Sequence, residues 1–341
     1  MTLRIGVVGA GANTRSRHIP GFQHIKGVSV TAVCNRSEAS GQRVAAEFAI
    51  PRVYTDWREL VHADEVDAVC VGTWPYMHCP VVLETLGAGK HVLTEARMAM
   101  NLAEAKQMLA AAEAAGTVAM VVPAPMYLET EPALVTLVAE GFFGDWLEIH
   151  LRGMGGSFDP GAPLHWRQRR ALSGNNIMAL GIFNETVRRY AGDELAVMAH
   201  GRIFTPERLD PETGTRLPAD VPESLGVIAE MRCGATALYH FSSVARHGTG
   251  DALEFHGTQG TLKLEAGKAW IAGADDPVLR QFVVPEAEQG GWRVEEEFVE
   301  AIRDGKPVTR TSFADGVKYM AFTDAVQRSM REKRRVELSE C

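Results

Sequence analysis

The chain has 341 residues, 46% hydrophobic and 23% charged, a composition ordinary for a globular protein and a length better served by two cores than by one. A formal net charge of -8 repels polyanions and argues against nucleic acid as a partner. The one dense basic cluster, Arg328 to Arg335, is interleaved with Glu332 and Glu337 and reads as the solvated face of a last helix.

The first predicted element is the strand Leu3 to Val8, followed at once by Gly9-Ala10-Gly11-Ala12-Asn13-Thr14 and a helical stretch. Glycine at 9 permits a tight turn, and glycine at 11 lets the main chain approach a diphosphate. Ala12, Asn13 and Thr14 then open a helix whose free N–H groups face it. Thr14 stands where a third glycine would allow close helix packing. This strand-turn-helix context points to a dinucleotide. A second strand, Ser29 to Cys34, ends at Asn35-Arg36-Ser37. An acid at this position suits the adenosine ribose of NAD. Its replacement removes repulsion against a 2′-phosphate, while Arg36 and Ser37 supply donors, so NADP is favoured. NAD served by Asn35 is the other reading. Helix Ser37 to Phe48, strands Asp67 to Gly72 and His91 to Thr94, helix Asn101 to Ala115 and strand Thr117 to Val122 continue the alternation. Asn101 is the expected cap, with Glu104 three residues on and Gly116 as the stop. Residues 1–123 therefore read as an α/β Rossmann domain with a doubly wound parallel sheet.

After Pro123 and Pro125 the rhythm changes. Helices are predicted over Leu128 to Glu140 and Asn176 to Tyr190, and strands over Val197 to Phe204, Leu225 to Arg232, Thr236 to Ser243, Ala252 to His256 and Thr261 to Glu265. Strands in runs with helices set apart indicate that residues 124–341 form an α+β domain with a mostly antiparallel sheet, one face of which is open to pairing in a homo-oligomer. Thr205 to Pro222 reads as an exposed loop. Cys34, Cys70, Cys79, Cys233 and Cys341 are odd in number and lack CxxC spacing, so reduced thiols and no metal are expected. No apolar stretch approaches bilayer-crossing length and no charged leader precedes Leu3, which makes the cytoplasm, away from any membrane, the expected location.

With the glycine loop, the blocks Tyr54-Thr55-Asp56, Val66-Asp67-Ala68-Val69, Gly72-Thr73, His78, Ala88-Gly89-Lys90-His91-Val92-Leu93 and Gly257-Thr258-Gln259-Gly260-Thr261-Leu262 make the chain resemble the glucose-fructose oxidoreductase, inositol dehydrogenase and MocA family over nearly its whole length. The resemblance implies hydride transfer between NAD(P) and a carbinol of a sugar, polyol or related cyclic alcohol. Thr73, Trp74, His78 and Glu95 fall at positions that line the dinucleotide in this family. The chain departs from the pattern where the family's Glu-Lys-Pro becomes Glu95-Ala96-Arg97. It departs again where the family's helix Asp, Gly, His and Asp become Ala179, Gly181, Phe183 and Thr186.

Alcohol oxidation needs a group that takes a proton. On a helix starting near Asn176, residues 176, 179, 180, 183, 187 and 190 share one face, which nominates Asn176. Arg97 stays protonated and can polarise an oxygen; His165 titrates near neutrality; Tyr127 is a further donor. Trp74 and Phe183 suit either a less hydroxylated ring or simple space filling. Two rival readings stay open: a retained nicotinamide that drives an elimination or hydrolysis through transient oxidation, and a binding or sensing protein that kept the fold alone.

Overall fold

Six strands carry the first part of the chain: β1 (Leu3–Val8), β2 (Val28–Cys34), β3 (Arg52–Tyr54), β4 (Ala68–Val71), β5 (His91–Thr94) and β6 (Ala119–Val121). All pair in parallel, in the order β3-β2-β1-β4-β5-β6, the doubly wound arrangement whose direction of growth reverses between β1 and β4. Every residue of β4 is buried, as a strand covered on both faces requires. The connecting helices are α1 (Ile19–His24), α2 (Glu38–Phe48), α3 (Trp57–His62), α4 (His78–Gly87) and α5 (Leu102–Ala115). Asn101 caps α5 by accepting the Glu104 N–H at 3.0 Å, and Gly116 at φ +65 ends it. The strand β3 is too short for its periodicity to be read. This is a computed structural model that describes residues 2–341.

The next elements are α6 (Glu131–Ala139), β7 (Trp146–Met154), α7 (Arg170–Ser173), α8 (Leu180–Ala191), β8 (Glu194–Arg202), β9 (Glu207–Leu209), β10 (Arg216–Pro218), β11 (Ser224–Met231), β12 (Thr236–Ser242), β13 (Gly250–Gly257), β14 (Gly260–Glu265), β15 (Lys268–Gly273) and β16 (Arg280–Phe282). The chain ends with α9 (Val294–Asp304), α10 (Phe313–Glu332) and β17 (Val336–Glu337). Nine strands form one sheet in the order β16-β15-β14-β13-β7-β12-β11-β8-β17, antiparallel except where β7 meets β12. Val227, Ala229, Tyr239, Phe241, Leu253 and Phe255 on one face pack with Leu180, Phe183, Val187 and Phe322. On the opposite face Met198, Ile228 and Leu238 are exposed.

The structure adds one strand to the expected elements and changes two of them. Strand β7, central to the sheet, is not among the expected strands, although Glu148, His150 and Arg152 alternate with Ile149 and Leu151 as in a strand with one face open. The stretch Thr205 to Pro222 holds the ribbon β9-β10, anchored where the Arg208 guanidinium donates to Glu223 Oε1 at 2.8 Å. Helix α8 starts at Leu180, with Met178 at φ +44 just before it. Asn176 therefore does not ride on the helix face assigned to it.

The chain divides into two compact units, Met1–Pro123 with Arg293–Met320, and Ala124–Trp292 with Ala321–Cys341. The sequence reading groups residues 293–320 with the second half, because an amphipathic helix does not announce which core it covers. Here Phe298 of α9 meets Phe22 edge-on at 6.2 Å, and the Tyr319 hydroxyl accepts the Met98 N–H at 2.6 Å. The basic cluster at the end of α10 is paired as expected, with Arg328 Nε donating to Glu332 at 2.9 Å. All five cysteines are free. No helix among the described residues is long and apolar enough to cross a membrane.

Candidate functional site

A cleft opens at the carboxyl ends of β1, β2 and β4, beside the reversal point of the first sheet. Gly9, Ala10 and Gly11 form its floor, with Gly72, Thr73 and Trp74 opposite and Asn35, Arg36, Ser40 and Tyr76 at its outer end. Gly9 adopts φ +86, and a Cβ there would lie 2.7 Å from the Thr73 nitrogen and 2.9 Å from the Gly72 carbonyl carbon. A Cβ on Gly72 would lie 2.3 Å from the Gly9 carbonyl oxygen. Two bare main chains are therefore needed for this close approach. Thr14 occupies the third glycine position, buried, its hydroxyl 3.3 Å from Gly9 O. Ala12 is exposed at the helix opening. The buried Thr73 Oγ1 has no protein hydrogen-bond partner. A cradle that any Cβ would fill, followed by the π-helical turn Thr14–His18, fits a diphosphate held by main-chain N–H groups.

At the outer end, Asn35 Oδ1 accepts the Ala10 N–H at 2.7 Å, so this side chain is committed to the loop. The Arg36 guanidinium lies 5.4 Å from the Trp74 ring centre, within cation–π range. Ser37 caps α2, its Oγ accepting the Ser40 N–H at 3.4 Å. The cleft wall is completed by Ser40, not Ser37. Sequence reasoning misses Ser40, for which the cap three residues earlier is the available signal; Tyr76, which the sequence offers as a further donor, lies at the outer end of this cleft.

Behind the loop lies a buried charge network. His18 has no exposed surface; its Nε2 is 3.0 Å from Glu95 Oε1 and its Nδ1 meets Glu295 Oε1. Burial alone would depress this imidazole, but the hydrogen bonds it donates to Glu295 and Glu95 outweigh it and raise the pKa to about 9. Burial likewise pushes Glu95 up, and His18 and then Asn13 hold it below the usual carboxylate range. The Asn13 amide donates to Glu95 Oε1. The glycine loop, the end of β5 and α9 are thus tied at one imidazolium, an arrangement that no local spacing in the sequence reveals.

His78 is also fully buried, with Nδ1 3.0 Å from Arg97 O and Nε2 2.9 Å from Thr73 O. Burial lowers its pKa. It braces the main chain on both sides of the cleft wall instead of facing the cleft. Arg97 is buried in the same unit.

The remaining candidates belong to the second unit. Tyr127 is half-buried at φ +59, and burial, then Asp251 and Glu265, push its phenol up to about 12. His165 is exposed; its Nδ1 accepts the Arg167 N–H at 3.3 Å, and burial followed by Arg167 lowers its pKa. Asn176 is buried and donates to Ser173 O at 2.7 Å. Phe183 packs 5.6 Å from Phe241, and Tyr190 meets Phe255 edge-on at 5.6 Å, so both fill the core.

Known proteins share this organisation. The family model for an oxidoreductase family with an NAD-binding Rossmann fold (GFO/IDH/MocA) matches residues 3–122, and that of the GFO/IDH/MocA C-terminal domain matches residues 133–263. A glycosyl hydrolase family 109 protein of Shewanella sp. (strain W3-18-1) is 30% identical over 154 residues, 42% of this chain and 33% of its own length. The match thus spans about a third of that curated relative. Among solved structures, an oxidoreductase domain protein from Kribbella flavida has a TM-score of 0.89 at 25% identity, covering 99% of this chain and 100% of that one. Levoglucosan dehydrogenase in complex with NADH and levoglucosan shares the fold, with a TM-score of 0.87 at 22% identity over 99% and 100% of the two chains. A parallel sheet with a glycine cradle at its switch point, joined to a mixed nine-stranded sheet, places this chain in the GFO/IDH/MocA oxidoreductase family.

Proposed function

We propose that the protein is an NADP-preferring oxidoreductase that moves a hydride between the nicotinamide and a carbinol or carbonyl of a sugar, polyol or other cyclic alcohol. One observation carries the cofactor choice: the end of β2 presents Arg36 over Trp74, beside Ser40, with no carboxylate. A guanidinium and a hydroxyl there suit a 2′-phosphate. The fold shared with a levoglucosan dehydrogenase supports a sugar-like substrate.

The dinucleotide, when bound, supplies the hydride acceptor or donor. Gly9, Gly11, Ala12, Asn13 and Thr14 hold its diphosphate, with Asn35, Arg36, Ser40 and Thr73 at the adenosine side and Ser37 acting through the cap that places Ser40. The His18 network holds Glu95 ionised at the end of β5. Arg97, protonated at all ordinary pH, polarises the substrate oxygen in place of the missing lysine. His165, whose pKa is lowered by burial and then by Arg167, is the proton acceptor we assign to the second unit. Tyr127, which holds its own proton up to about 12, is a hydrogen-bond donor of the second unit, where Asn176 braces the turn before α8 by donating to Ser173 O.

A panel of sugars, polyols and cyclic diols, read at the nicotinamide absorbance band, tests this. Arg97→Ala and His165→Ala are each expected to lower kcat/KM by about a hundredfold. Turnover indifferent to both removes the assignment.

The second reading, hydrolysis through transient oxidation, has the 30% identity to a glycosyl hydrolase behind it. Glycoside cleavage with no net absorbance change would select it. The open sheet face also supports a homo-oligomer: Met198, Ile228 and Leu238 stand in one cross-strand row, 55%, 51% and 43% exposed. Such a row on an open sheet calls for a cover, and light scattering is expected to give at least a dimer mass.

A further inference from the structure

The open face of the nine-stranded sheet carries a second polar constellation, independent of the dinucleotide reading. On β7 and β13, His150 lies directly opposite Glu254, and Glu148 directly opposite His256. Residues two apart on a strand share a face, so the four side chains make a square in which each imidazole has a carboxylate on two sides. The imidazole nitrogens of His150 and His256 and a carboxylate oxygen of Glu254 all lie within 4.8 Å of one another, and the three residues are half-buried. The two rings are 5.3 Å apart between centres, and His256 Nε2 is 3.6 Å from Glu254 Oε2.

We propose that His150, Glu254 and His256 form a binding site for a first-row divalent metal ion of the zinc class. Two imidazoles and one carboxylate are a donor set suited to Zn²⁺, Co²⁺ or Ni²⁺ and not to Mg²⁺ or Ca²⁺, which prefer oxygen alone. With metal–ligand bonds of about 2.0–2.2 Å, neighbouring ligand atoms of a tetrahedron stand roughly 3.4 Å apart. Side-chain rotation on the paired strands closes the gap. Glu148, whose Oε2 is 3.0 Å from His150 Nε2, offers a further oxygen donor. Opposing the ion is Lys263, with Nζ 3.7 Å from Glu254 Oε1 and 3.1 Å from Glu265 Oε2. The cysteine pattern in the sequence shows none of this, because strand pairing alone joins the ligands.

Isothermal titration of metal-stripped, full-length protein with Zn²⁺, and visible absorption on adding Co²⁺, test the site. One saturable equivalent per chain is expected. His150→Ala and His256→Ala should each weaken it by roughly tenfold to a hundredfold, while Lys263→Met tightens it. Circular dichroism and the light-scattering mass of each variant should match the parent, since these side chains do not supply the pairing of their strands. Absence of saturable binding, or binding that survives the double His substitution, overturns the proposal.

Discussion

The dinucleotide cleft and the second unit's proton-handling candidates differ in what they are made of. The cleft is built from main chain: Gly9 and Gly72 approach too closely to tolerate a Cβ, and Asn35 and His78 are spent on holding backbone groups. In the second unit, positions 179, 183 and 186 carry Ala, Phe and Thr, and Phe183 packs on Phe241. The lesson is that a cradle of backbone demands particular residues at particular places, whereas a proton can be taken by any suitably placed side chain. The first region keeps the glycines at 9, 11 and 72 that its close approach requires, whereas the second is free to change its side chains.

The largest effect should come from the network behind the cradle. His18→Ala leaves Glu95 and Glu295 facing each other without their shared cation, a loss of about 3–5 kcal/mol for a broken buried pair, checked by chemical denaturation. Because the folded His18 pKa is raised from 6.5 to about 9, its contribution is full below pH 6.5 and is lost as pH rises through about 9. The parent should show this loss and His18→Ala should not. Next, Gly9→Ala forces a side chain into φ +86 and against Thr73, and should weaken dinucleotide binding by roughly a hundredfold, about 3 kcal/mol. An unaffected affinity, read by nucleotide fluorescence, would break the backbone account. Arg36→Ala should cost NADPH about tenfold, near 1.4 kcal/mol, and leave NADH unchanged. In the second region, Phe183→His restores the family's residue inside a packed core. It should lower stability by about 1–3 kcal/mol without raising turnover, and a gain in kcat would show that the older relay survives.

The same contrast explains what could be read from residues alone. The loop from Gly9 to Thr14, the cap at Asn101 and the parallel alternation are local signals, and each appears where expected. His18 with Glu295, β7 in mid-sheet, and the return of α9 to the first unit are long-range facts. Nothing near His18 in the chain announces a carboxylate 277 positions away. Asn176 lies off the helix face that side-chain pattern suggests, because Met178 at φ +44 interrupts the helical periodicity before Leu180. Ser40 was missed for Ser37 because a cap residue spends its hydroxyl on its own helix.

Titrating the purified parent protein with NADPH and with NADH tests the central claim most directly. Both should bind saturably at one per chain, with NADPH about tenfold tighter. Failure of both to bind, or a preference for NADH, would contradict it.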